Sequence, residues 1–105
     1  MSFFRLYTGL DGETHIEDIE PVPIKVTEVR YSKGAPGTFS DWHQERRRQF
    51  VIQLSGEAEH YASDGQSRRT TPGSIKLAED TTGKGHRTKV IGDQECVWMF
   101  VALAE

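Results

Sequence analysis

Hydrophobic residues along this chain occur in short runs or alternate with polar residues, and turn-forming residues separate the runs. The segment 50–54 is mostly apolar and Ser55-Gly56 closes it. The segment 57–62 ends at Ser63-Asp64-Gly65, which is typical of a hairpin turn. Nowhere is there an i, i+3, i+4 apolar stripe long enough for an ordinary helix. The pattern therefore predicts an all-β chain.

The strands predicted in this way are short and number about eight. They are expected at 3–7, 24–31, 50–54, 57–62, 68–71, 74–77, 87–91 and 95–103. In 24–31 the alternation breaks between Val26 and Val29, which predicts a bulge. In 13–20, Ile16 and Ile19 are three residues apart, which is compatible with one helical turn that Pro21 ends. Strands at this spacing predict an antiparallel barrel or sandwich.

Strand parity divides the segment 49–54 into two faces. Gln49, Val51 and Gln53 share one face. If that face lines a cavity, the opposite residues must be buried on the outside, against a second sheet or a partner subunit. These residues are Phe50, Ile52 and Leu54. A homodimer is therefore expected.

Composition narrows the class of protein further. The 105 residues are enough for one domain, and 13 Lys+Arg against 16 Asp+Glu give a net charge of −3. Because duplex nucleic-acid binders normally carry a basic excess, no nucleic-acid partner is expected. No apolar run approaches a membrane span and the first residues lack the layout of a signal peptide, so a cytoplasmic protein with no membrane partner is expected. The single cysteine, Cys96, excludes an internal disulfide and a Cys-based zinc site.

The most specific pattern lies between Gly37 and Gly56. Five residues separate Gly37 from His43. One residue then separates His43 from Glu45, three separate Glu45 from Gln49, and six separate Gln49 from Gly56. This pattern resembles the first signature of the cupin family, Gly-x5-His-x-His-x3–4-Glu-x6-Gly. Glu45 stands at the second His position of that signature and Gln49 at its Glu position.

A later segment resembles part of the second cupin signature, Pro-x-Gly-x-x-His. The chain has Pro72-Gly73 and, further on, the glycine-flanked His86, without the usual preceding proline. The resemblance covers roughly 24–103 and implies one cupin domain over 1–105. Its fold would be an antiparallel β-barrel (jelly roll, or double-stranded β-helix) at 24–103, preceded by an N-terminal strand and loop at 1–23.

The residue types in this pattern suit a metal site. Residues two apart on a strand point to the same side, so His43 and Glu45 can converge, and a bulge at 46–48 can return Gln49 to that side. His86 would approach from another strand. Two imidazoles and a carboxylate can hold divalent Fe, Mn, Ni, Cu or Zn with open positions. The predicted metal ligands are His43, Glu45, Gln49 and His86, with Glu45 or a water on the metal as the catalytic base.

Four further residues are candidates beside this site, each with a structural alternative. His60 shares a face with small residues and could line the cavity, or be a hydrogen-bonded structural histidine. Trp42 and Trp98 suit the walls of a pocket for a small organic ligand, but core packing explains them equally well. Asp80 can hydrogen-bond His86 and fix its tautomer, or cap a turn.

The resemblance implies a small cupin that binds a divalent metal and a small polar or acidic organic ligand, as an oxygenase, isomerase or lyase. The alternative is a non-catalytic ligand-binding or sensor cupin with a degenerate metal site. In that case His43 and His86 are only hydrogen-bonded interior residues. The arginines at 46–48 are either all solvated, or one points inward to neutralise Glu45 or a carboxylate ligand.

Overall fold

A computed structural model describes residues 2–21 and 23–105, and this part of the chain contains nine β-strands and no helix. The all-β prediction is confirmed. The described residues therefore contain no helix that could cross a membrane. The strands are β1 (Phe3–Thr8), β2 (Thr14–Asp18), β3 (Val26–Gly34), β4 (Gln49–Ser55), β5 (Glu57–Ala62), β6 (Ser67–Thr70), β7 (Ile75–Ala78), β8 (His86–Ile91) and β9 (Cys96–Leu103).

The strands form two sheets. The larger sheet has the order β2-β1-β7-β4-β9-β3, and the smaller has the order β6-β5-β8. All pairings are antiparallel except that of β1 with β7. Between β3 and β4 the chain runs along the free edge of β8, with isolated bridges from Phe39 to Lys89 and from His43 to His86. Among the described residues the pairings do not close the two sheets into one continuous barrel.

The N-terminal segment differs from its prediction. The helical turn considered at 13–20 does not form, because β2 pairs with β1 as a hairpin in which Leu6 lies opposite Ile16. Gly12, with a φ of 77°, makes the tight connection between the two strands. Pairing with a neighbouring strand therefore outweighs the local spacing of two isoleucines. In β3 the register shifts between Val26 and Glu28, which confirms the bulge.

Strand β4 shows the predicted alternation. Gln49, Val51 and Gln53 are buried between the sheets, whereas Leu54 on the opposite face is 46% exposed. Phe50 on that outer face packs edge-on against Phe3. The inner face of the larger sheet is therefore partly polar, and its outer face is apolar.

The interior between the sheets combines a small apolar cluster with many polar groups. Ala58, Val90 and Cys96 pack together with Trp98 against them. Polar side chains are buried in the same space. They include Glu45, Gln49, Gln53, His60, Thr70, Lys76, Asp80 and His86.

Candidate metal centre

His43 and His86 are brought together by the backbone. His86 is the first residue of β8, and His43 lies on the segment beside it. Each residue donates its backbone N–H to the carbonyl of the other, at 2.9 and 3.0 Å. The ring centroids are 4.6 Å apart. Glu45 is fixed two residues further on, because its backbone N–H donates to the carbonyl of Asp80 at 3.0 Å.

Gly85 makes this close approach possible. Its φ is +80°, a conformation that other residues rarely adopt. A Cβ at this position would lie 2.1 Å from the carbonyl oxygen of His43. A side chain at residue 85 would therefore push the segment that carries His43 away from β8, which begins with His86.

His43, Glu45 and His86 form a group that could hold a metal ion. One donor atom from each lies within 4.8 Å of the other two. Nε2 of His86 is 3.7 Å from Oε1 of Glu45. Glu45 and His86 are buried, whereas His43 is exposed. The group is thus anchored inside the protein and open on the side of His43.

Hydrogen bonds fix the tautomers of both histidines. Nδ1 of His43 donates to the backbone carbonyl of Asp41 at 2.9 Å, and Nδ1 of His86 donates to Oδ2 of Asp80 at 2.5 Å. In the neutral form of each ring the proton therefore lies on Nδ1, and Nε2 keeps its lone pair. Burial lowers the pKa of His86, and the hydrogen bond that His86 donates to Asp80 opposes this shift. The burial of His86 and its hydrogen bond to Asp80 together leave Nε2 of this ring suited to bind a metal ion.

Asp80 is itself held in the interior. Its Oδ2 also accepts a hydrogen bond from Thr14 at 3.2 Å. Its Oδ1 is buried and has no hydrogen-bond partner among the described residues. An under-satisfied carboxylate beside His86 favours positive charge at this site.

The position of Gln49 in the motif predicts a metal ligand, but its side-chain amide is engaged in two hydrogen bonds. Its Nε2 donates to Oε2 of Glu45 at 2.5 Å, and its Oε1 accepts from Arg30 at 3.2 Å. The carbonyl oxygen that a metal would require is therefore directed toward Arg30. In this structure Gln49 orients Glu45.

A cavity of about 230 Å³ adjoins the three candidate ligands. His60 and Trp98, both predicted to bind a ligand, line this cavity. Trp42 lies elsewhere, in a shallow surface depression with Ser63 and Lys84. The full lining comprises Ser32, Lys33, Gly34, Thr38, Ser40, His43, Glu45, Val51, His60, Lys76, His86, Thr88, Val90, Trp98 and Phe100.

The arginines at 46–48 do not line the cavity. Arg47 pairs with Glu28 at 2.6 Å, and Arg48 pairs with Glu79 at 2.6 Å. The inward arginine that was considered from sequence is thus absent from the cavity wall formed by the described residues. Arg47 and Arg48 neutralise acidic groups outside the cavity instead.

Lys76 is the cavity residue that sequence reasoning missed. It lies on the inner face of β7 and is only 6% exposed. Its Nζ is 3.5 Å from Nδ1 of His60. Burial lowers the pKa of Lys76, whereas the negative charges of Glu45 and Asp80 oppose that shift. The sequence did not indicate that Lys76 is buried, because a lysine between Ile75 and Leu77 is ordinarily assigned to solvent.

His60 connects Lys76 to a buried chain of hydrogen bonds. Thr70 donates its hydroxyl to Oε1 of Gln53 at 2.5 Å, so it accepts from Nε2 of His60 at 2.9 Å. Nδ1 of His60 is then an acceptor, 3.3 Å from the hydroxyl of Thr88. Burial and the charge of Lys76 hold the pKa of His60 well below its usual value. His60 is therefore neutral and fixed in one tautomer.

Comparisons with known proteins indicate the fold. No protein-family model and no curated protein sequence matches the chain. Among solved structures, the crystal structure of protein NMB1881 from Neisseria meningitidis is similar, with a TM-score of 0.56 and 13% sequence identity. The similarity covers 82% of this chain and 88% of that chain. At this identity it shows a shared all-β fold.

Proposed function

We propose that this chain is a small cytoplasmic cupin that binds one divalent transition-metal ion through His43, Glu45 and His86, and a small polar or acidic organic ligand in the adjoining cavity. The observation that carries the proposal is the convergence of three donor atoms from three separate chain positions within 4.8 Å. The signature spacing around His43 and the two-sheet architecture support the assignment to the cupin class.

The donor set fits such an ion. Two imidazoles with free Nε2 atoms and one carboxylate suit Fe, Mn, Ni, Cu or Zn. Ligand bonds of about 2.0–2.2 Å require the donors to draw together, and the exposed ring of His43 is free to adjust. When bound, the ion would supply Lewis-acid or redox chemistry to a ligand in the cavity.

Glu45 has a second proposed role. Among the described residues that line the cavity it is the only carboxylate. Gln49 occupies its Oε2, which leaves Oε1 toward His86. This oxygen can serve either as a ligand of the ion or as the proposed proton acceptor for a bound ligand, but not as both at once.

The test is metal analysis of protein purified without an affinity tag after growth with metals supplied. About one ion per chain is expected in the wild type, little in His43→Ala and His86→Ala, and wild-type content in His15→Ala. His15 is a matched control because its imidazole pairs with Asp11 and Asp64, away from the site. Wild-type protein with far less than one ion per chain would remove the proposal.

We further propose that the chain forms a homodimer through the outer face of the larger sheet. Two adjacent rows of apolar side chains cross that face, as the strand registers place them. From β7 to β3 the rows carry no charge, and on β1 the charge of Arg5, which lies opposite Leu77 in one of the rows, is paired with Glu17 and Glu79. A two-fold axis can therefore place this face against itself without unpaired like charges meeting. The outer apolar face consists of Phe3, Val29, Tyr31, Phe50, Ile52, Ile75, Met99 and Val101.

Analytical ultracentrifugation tests the dimer. The wild type is expected at twice the 11.9 kDa chain mass. Tyr31→Lys, at a residue 66% exposed in the single chain, should give monomer because it buries a charge in the interface. Ala35→Lys adds the same charge just beyond β3 and should leave the dimer intact. A monomeric wild type would contradict the proposal.

A further inference from the structure

Lys76 presents an incompletely satisfied ammonium group to the cavity. An ammonium has three N–H donors. Among the described residues Nζ has one hydrogen-bond partner, Nδ1 of His60, at the long distance of 3.5 Å. Because the side chain is 6% exposed, water can reach it only through the cavity. A buried cation in this state favours an anionic partner placed within the same cavity.

The charges around the site define how much negative charge such a partner should carry. Glu45 and Asp80 are buried carboxylates and Lys76 is a buried ammonium. His60 is neutral because burial and the charge of Lys76 hold its pKa well below the usual value. His86 is counted as neutral because a ring that binds the ion through Nε2 carries one proton, on Nδ1. With a divalent ion at the candidate metal centre, these buried groups leave an excess of one positive charge. Lys33 also lines the cavity, but its side chain is exposed and solvent screens its charge. One monoanion would neutralise the site.

The rest of the cavity wall indicates what the anion is attached to. Val51, Val90, Trp98 and Phe100 form an apolar side of the cavity. The volume of about 230 Å³ lies below the roughly 300–1,000 Å³ of pockets for drug-sized ligands. These dimensions suit a small organic molecule with an apolar part and one charged group.

We propose that the cavity is a receptor for small organic monocarboxylates, in which Nζ of Lys76 donates hydrogen bonds to the ligand carboxylate and the apolar side holds its hydrocarbon part. The proposal rests on the proposed metal function, since the charge excess requires the ion. It assigns Lys76 as the residue that selects a carboxylate over a neutral ligand of the same shape.

Fluorescence of Trp98, measured in a Trp42→Phe background, provides the assay because Trp98 lines the cavity and Trp42 does not. The zinc-loaded protein is titrated with butyrate, with butyramide as its neutral isostere, and with inorganic phosphate. Butyrate should bind at least tenfold more tightly than either of the others. Removal of zinc should weaken butyrate binding at least tenfold.

Lys76→Met removes the ammonium at similar volume and should lower butyrate affinity at least tenfold while zinc affinity is unchanged or higher. Lys76→Gln is the second variant, with the same expectation, in case the methionine protein does not fold. Lys25→Met removes the same charge at an exposed residue outside the cavity and should change neither affinity.

The outcomes separate the two proposals. If zinc binds but butyrate and butyramide bind equally, or if Lys76→Met leaves butyrate affinity unchanged, the carboxylate receptor is overturned and the metal site stands. If phosphate binds as tightly as butyrate, the site is a general anion site and the organic carboxylate assignment is overturned. If zinc does not bind at His43, Glu45 and His86, the proposed function itself fails.

Discussion

Asp80 and His86 are joined by a hydrogen bond of 2.5 Å between Oδ2 and Nδ1, and both side chains are buried. The loop that separates them in sequence carries Gly83 and Gly85, both with positive φ. This loop therefore places the carboxylate behind the imidazole, and the imidazole presents Nε2 to Glu45. The pair holds one candidate ligand in a single tautomer and a single orientation.

Replacement of Asp80 should weaken metal binding without removing a ligand. In Asp80→Asn the acceptor for Nδ1 becomes neutral, so the His86 ring becomes less basic. Metal affinity should fall about 10–100-fold, as for other partners of ligating histidines. A competition titration with a metal-binding dye measures the change. Asp93→Asn, at an exposed turn residue, is the control, and equal affinities in the two variants would contradict the role of Asp80.

Gln49→Glu should make the thermal stability of the protein depend more strongly on bound metal. The new carboxylate would lie beside Oε2 of Glu45, where the amide now donates at 2.5 Å. Repulsion between two carboxylates should destabilise the metal-free protein, and a further negative oxygen donor should raise metal affinity at least tenfold. Thermal unfolding with and without added metal tests both effects. A metal-induced rise in Tm no larger than in the wild type would contradict this prediction.

Gly85→Ala should disturb the candidate metal centre, because the added Cβ would displace the backbone of His43. A positive φ costs a non-glycine residue about 1–3 kcal/mol. At residue 85 the added Cβ also meets the carbonyl of His43, whereas at Gly37, with a φ of +85°, it meets nothing within 4 Å. In urea unfolding, Gly85→Ala should therefore lose more stability than Gly37→Ala and should also bind metal poorly. Equal losses would show that the contact with His43 does not matter.

Stability should fall in mild acid because of His60. Its native pKa lies below the unfolded value of about 6.5, so below that pH the unfolded chain takes up a proton that the native protein does not. This group therefore contributes a loss of up to about 1.4 kcal/mol per pH unit as the pH falls below 6.5. Urea unfolding of wild type and His60→Gln between pH 8 and 5 should show a shallower loss in the variant.

His15 is the control of opposite sign. The hydrogen bonds that His15 donates to Asp11 raise its pKa, so its contribution to stability is present in acid and disappears as the pH rises through the raised value. His15→Gln should therefore steepen the loss of stability toward acid. If both variants change the pH profile in the same direction, the assignment of the two histidines is wrong.

Strand parity and turn residues were sufficient to predict most of the fold. The alternation at 49–54 put Gln49, Val51 and Gln53 on one face, and the structure shows that this face is the buried one. The segment 13–20 was harder, since the isoleucine spacing is local information and the hairpin with β1 is not. No local pattern states which strand lies beside another.

The site was predictable only in part. The spacing around His43 indicated which residues could hold a metal ion, but not that the amide of Gln49 would bridge Arg30 and Glu45. Lys76 was missed for a general reason. The larger sheet is polar inside and apolar outside, so the ordinary assumption that a strand lysine faces solvent gives the opposite answer at β7.

The parallel pairing of β1 with β7 has a consequence for folding. Strand β1 pairs with β2, which follows it directly, but its second partner β7 comes only after β3, β4, β5 and β6. The hairpin of β1 and β2 therefore joins the larger sheet through contacts between residues far apart in sequence, such as Phe3 and Ile75. Contacts of this kind slow folding, because a long loop must close before they form.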